Sequence, residues 1–135
     1  MLRAEDFIKS EIALASWRYG SHYGAEKASI LIAQTLANRN RKWGTPWLEL
    51  LTKAPQFDAA PPTTTGYPNI WDRSFLKLLL EMDGLFDGTR KDDTNGALYF
   101  GDTTNIQSKW FLMKIARNHD EHQIVAAMNS LTFWN

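Results

Sequence analysis

Tyr19, His22 and Glu26 stand in one short stretch of this chain, around the glycine-bounded turn Gly20-Ser21-His22-Tyr23-Gly24. A phenol, an imidazole and a carboxylate brought to one point can pass a proton to and from a substrate, Tyr and His acting together where the leaving group is good. Glu26 also has a plainer reason to be there, since the first turn of a helix favours an acid. Further along come Gln56-Phe57, then Tyr99 and Asp102. Gln56 suits an anchor on backbone or a polar group of a cleft, and Phe57 suits a plug in the core. Tyr99 and Phe100 alternate across a strand, so one faces the core and the other a cleft or solvent. Asp102 fits a polar position in a cleft, and fits a turn equally well.

Other chemistries fail on residue type or spacing. The chain has no cysteine, which excludes disulfides, a thiol nucleophile and Cys-ligated zinc. In His119-Asp120-Glu121-His122 the two histidines are three apart, which is not the zincin pattern, and a solvated helix junction accounts for them. The segment Asp87 to Gly96 has a calcium-loop look, but setting Gly96 at the sixth position puts Lys91 where the first Asp is needed. There is no phosphate-cradling glycine loop and no nucleophile elbow. The expectation is therefore no metal and no cofactor.

At 135 residues the chain makes one domain, 1–135, with a single sizeable core. Fifteen acids balance fifteen Lys plus Arg, which argues against nucleic acid as the main partner. No window approaches a membrane-spanning length, and the opening run lacks the apolar centre of a signal peptide. Six tryptophans read mainly as core, with two or three available to a sugar cleft because the apolar face of a pyranose stacks on a ring.

The elements that must position these groups follow from periodicity and punctuation. Residues 4–19 read as a helix stopped by Gly20, and residues 25–40 as a second helix with Ala28, Leu31, Ile32, Thr35 and Leu36 on one face. Thr45-Pro46 opens a short helix running to about Lys53. Ala54 to Asn69 is a long loop, and residues 71–85 form an apolar helix closed by Asp-Gly pairs. Ala97–Phe100 and Leu131–Trp134 read as short strands able to pair, with helices at 104–117 and 120–129 between them. The expectation is a mainly α-helical α+β domain with a small antiparallel sheet.

In chain order, Ala13-x-x-x-Trp17, Asn38-Arg39, Gln56-Phe57, Gly96-Ala97-Leu98-Tyr99-Phe100, Trp110 and Thr132-Phe133-Trp134 resemble the cell-wall hydrolases of the spore-cortex-lytic (SleB-like) family, and the resemblance spans nearly the whole chain. It implies a lysozyme-like fold with a cleft between the helical and β parts. The implied activity is cleavage of peptidoglycan glycan strands, of lytic transglycosylase or muramidase type, by one Glu that protonates the leaving oxygen. Aligned on Trp17 and Asn38-Arg39, the family's acidic turn falls on Trp17-Arg18-Tyr19-Gly20-Ser21-His22, and Tyr19 takes the place of the acid. A phenol is a poor donor to a glycosidic oxygen at neutral pH. Glu26 is then the nearest replacement, with Glu11 two helical turns before Tyr19. On this reading the catalytic candidates are Glu26, as a substitute, and Tyr19, at the acid's position, and the candidates for the substrate cleft are Trp17, His22, Gln56, Phe57, Tyr99 and Asp102. The resemblance implies peptidoglycan glycan strands as partner; with no apolar signal-peptide centre in the opening run, a phage-encoded protein released to the wall or carried among other virion proteins fits the expectation. The alternative is an inactive descendant that binds the wall or builds a virion.

Overall fold

The computed structural model describes residues 3–21, 23, 25–52, 72–102, 123–128 and 130–135. Helix α1 covers Ala4–Gly20, α2 Ala25–Trp43, α3 Trp47–Thr52 and α4 Arg73–Asp87. Strands β1 (Tyr99–Asp102), β2 (Ile124–Met128) and β3 (Leu131–Trp134) form one antiparallel sheet in the order β1-β3-β2. This is the expected mainly helical α+β architecture. The anticipated loop at 54–69 and helix at 104–117 lie outside the described residues. No helix among the described residues is long and apolar enough to cross a membrane.

Helix α2 is the axis of the fold. Residues 28–37 are buried without a break, so the helix is enclosed on all sides rather than along the single stripe its sequence suggests. Ile30, Ala33, Leu36 and Ala37 join Ile12, Ala13 and Trp17 of α1, Leu50 of α3 and Leu78, Met82 and Leu85 of α4 in one core cluster. Ala28, Leu31 and Ile32 instead pack with Tyr19, Tyr23, Ala97, Phe100, Leu131 and Phe133 in a second cluster under the sheet. The helical layer and the sheet thus share α2 as their common wall.

Helix α4 carries complete end signals. Asp72 accepts from the backbone amides of Ser74 at 3.0 Å and Phe75 at 3.2 Å, satisfying donors that a helix start leaves without partners. The Ser74 hydroxyl and those amides hold the Asp72 carboxyl below the usual carboxylate range. At the other end Gly88 takes the left-handed conformation at φ 83°, which a side chain would resist. Asp72→Ala is expected to cost about 1 kcal/mol, read as a lowered midpoint in urea with an unchanged slope.

One expected element is corrected. The sequence predicts a helix over 120–129, whereas 124–128 form strand β2. Ala126, Ala127 and Met128 favour helix by themselves, but pairing to β3 decides their state, as tertiary context does for most weak propensities. β2 is an edge strand with Ile124 largely exposed, and its register shifts between Ile124 and Ala126. Strand β3 is the centre: all four of its residues are buried, which is why Leu-Thr-Phe-Trp does not alternate. β1 pairs with β3 as anticipated, Phe100 opposite Phe133, and the Leu98 amide extends the pairing to the Trp134 carbonyl at 2.8 Å.

Candidate functional site

Three polar side chains on α2 clamp the segment that leads into β1. Gln34 donates to the Lys91 carbonyl at 2.9 Å and accepts from the Asp93 amide at 3.2 Å. One turn later the Asn38 amide group reaches Asp92 Oδ2 at 3.0 Å, Thr94 Oγ1 at 3.1 Å and the Ala97 carbonyl at 2.9 Å. Arg39 donates from Nε to the Leu98 carbonyl at 2.6 Å. The segment can meet α2 this closely because Asn95 and Gly96 both adopt positive φ, 56° and 84°, a conformation Asn and Gly tolerate best. The Asn-Arg and Gly-Ala-x-Tyr-Phe motifs, distant in sequence, are two halves of one contact.

Asp92 organises the turn within that contact. Its Oδ1 accepts from the Thr94 amide at 2.8 Å and hydroxyl at 2.6 Å, and its Oδ2 accepts from the Gly96 amide at 2.8 Å as well as from Asn38. Both oxygens are occupied by protein donors. Among the described residues no group of His, Asp and Glu is placed to hold a metal ion. Burial alone would raise the Asp92 carboxyl; the bonds from Thr94, Gly96 and Asn38 outweigh it and hold the group below the usual range. Its folded value therefore lies under its unfolded value of about 3.9, so the stabilisation is complete above that pH and is lost as the pH falls through the folded value. Melting temperature is expected to drop between about pH 5 and pH 2, and Asp92→Asn is expected to melt lower at neutral pH with a shallower acid decline. Parallel declines in the two proteins would exclude Asp92 from the linkage.

Tyr19 sits at the end of α1 and is sealed, only 3% exposed. Its ring meets Phe100 edge-on at 5.1 Å and lies 5.7 Å from the ring of Tyr23. Tyr23, also buried, donates its hydroxyl to Asp102 Oδ2 at 2.7 Å. Burial pushes both phenols well above their ordinary value, and the nearby Asp102 charge adds to the shift. A phenol raised in this way is a still weaker acid, so Tyr19 is a packing residue here, tying the end of α1 to β1. Asp102 is the carboxylate drawn into this cluster, 8% exposed at the last position of β1.

The other assigned residues are dispersed. Glu26 stands on the solvent side of α2 in an ion pair with Lys77 of α4, both side chains about half exposed. Glu26 raises the Lys77 ammonium. Trp17 belongs to the helical core, its indole N–H donating to Ser74 Oγ at 2.7 Å and its ring edge-on to Phe75. Tyr99 is half-buried beside Trp43 and Arg39. His22, Gln56 and Phe57 lie outside the described residues. The structure thus brings Tyr19 and Asp102 together and leaves Glu26, Trp17 and Tyr99 apart from them.

Arg39 is 6% exposed, with its guanidinium 5.6, 5.9 and 5.8 Å from the rings of Trp43, Tyr99 and Phe100. Burial lowers it to about 10, against an opposing influence of Tyr99, so it keeps its charge at neutral pH. Sequence reasoning singled out Arg39 only as half of a motif and passed over Tyr23 and Trp43. Nothing local marks Tyr23, whose partner Asp102 is 79 residues away. Comparison with protein-family models, with curated proteins and with solved structures finds no match for this chain.

Proposed function

We propose that this chain is a peptidoglycan-directed domain of lysozyme-like kind that holds a glycan strand without cutting it, at the wall or within a virion. The wall-directed half of the reading rests on the run of motifs, supported by the contact in which Asn38 and Arg39 grip the segment running into Tyr99-Phe100. The non-cutting half rests on one observation, the sealing of Tyr19 among aromatic rings where the family acid would stand. Glu26, ion-paired with Lys77 in solvent, is a poor substitute.

A second reading, cleavage of the strand, has a specific observation in its favour. Asp102 is a nearly buried carboxylate beside Tyr19, and a carboxylate so placed can stabilise the positive charge that develops on a sugar as its glycosidic bond breaks. The two readings separate on mass spectrometry of the soluble fraction after incubation with purified sacculi. The holding reading expects no muropeptides from the wild-type protein. Muropeptide release that disappears in Asp102→Asn, with Asp102→Asn still folded, would replace it by the cleaving one.

A further inference from the structure

Trp43 differs from the other tryptophans among the described residues. Trp17 and Trp134 are buried, and Trp47 stacks on Phe86 at 4.0 Å, whereas Trp43 is 45% exposed at the end of α2. A lone exposed apolar residue needs no explanation, but this one is not alone. The Tyr99 ring, from β1, lies 5.7 Å away at 55°, and the buried Arg39 guanidinium sits 5.6 Å from one ring and 5.9 Å from the other. Two elements far apart in sequence therefore present a tilted pair of rings, held in register by a side chain that is itself anchored to the Leu98 carbonyl. Lys42, next to Trp43, is exposed and adds positive charge at the rim.

We propose that Trp43 and Tyr99 form a binding subsite for a β-linked N-acetylhexosamine unit of a carboxylate-bearing glycan. This rests on the wall-directed reading above and names the surface that does the holding. A pyranose with equatorial substituents presents a face of C–H bonds, which packs on an indole. A rigid aromatic supplies such contact with little ordering cost. The positive charge of Arg39 and Lys42 complements the carboxylates that hang from peptidoglycan sugars. Arg39 acts here as a positioning residue, keeping both rings in place.

Two measurements on the full chain test this. In the first, co-sedimentation with purified sacculi is compared for wild type, Trp43→Ala and Trp43→Phe, with melting temperature recorded for each. In the second, N-acetylchitotriose is titrated while the Trp43 indole N–H resonance is followed, that resonance being assigned by its loss in Trp43→Phe. The expected result is about tenfold weaker retention for Trp43→Ala, intermediate retention for Trp43→Phe, unchanged melting for both and a saturable shift of the Trp43 resonance. Wild-type retention that Trp43→Ala leaves intact would overturn the subsite while leaving the wall-directed reading standing. No wild-type retention together with a saturable chitotriose shift would sink the wall-directed reading and keep the sugar subsite. No retention and no shift would overturn both.

Discussion

Replacing Gly20 by alanine is expected to destabilise the protein by about 2 kcal/mol, although helix propensity alone favours alanine by about 1 kcal/mol. The sign is set by how closely α1 and α2 cross. A Cβ at Gly20 would lie 2.5 Å from Ser29 Oγ, 2.6 Å from the Ser29 backbone nitrogen and 2.8 Å from its Cα. A side-chain oxygen can turn aside, but the Ser29 backbone lies inside a helix buried on every side and cannot. The two helices must part, loosening both core clusters that meet on α2. Thermal unfolding is expected to fall by about 8 °C at roughly 4 °C per kcal/mol for a domain of this size. A Gly20→Ala protein as stable as wild type, or more so, would mean that the crossing is wider than described.

The second large effect is expected at Asn38. Asn38→Ala removes the donor that Ala97, Thr94 and Asp92 share, and both Ala97 and Thr94 are fully buried. A buried acceptor left without a partner costs about 1–3 kcal/mol, and the loss here falls on a connected network, so about 3 kcal/mol is expected. Asn38→Asp is expected to be worse, because it sets a second carboxylate against Asp92. The damage has an address. The Leu98 amide, bonded to the Trp134 carbonyl, follows directly on the Ala97 carbonyl that Asn38 holds, so its hydrogen exchange is expected to accelerate more than that of amides in α4. Uniform acceleration throughout would point to global destabilisation and against a local clamp.

Much of this fold could be read from the chain, for identifiable reasons. α4 announces itself by its apolar run and by the Asp87-Gly88 pair that closes it, and α1 by the glycine at its end. β1 and β3 are short and aromatic, with Thr132 β-branched in β3, and this marks them as segments able to pair. β2 was not legible, because Ala-Ala-Met is helical by propensity and becomes a strand through contact with β3. The enclosure of α2 was hidden as well: Ser29, Gln34 and Arg39 lie off the apolar face that carries Thr35, yet all four are buried. Thr35 turns its hydroxyl back to the Leu31 carbonyl, and Gln34 and Arg39 spend their donors on a segment 57 and 59 residues away. The site shows the same limit. Tyr19 and Asp102 were legible as residues with chemistry, but whether a phenol is sealed or open depends on Phe100 and Tyr23 closing over it. Glu26 invited a catalytic role because it is near in sequence, and Lys77 reaches it from another helix.

A domain that holds peptidoglycan strands and leaves them whole is tested by incubating the wild-type protein with purified sacculi and separating pellet from supernatant. The protein is expected to enter the pellet in a saturable manner while the supernatant stays free of muropeptides. Protein left in the supernatant over intact sacculi would contradict it.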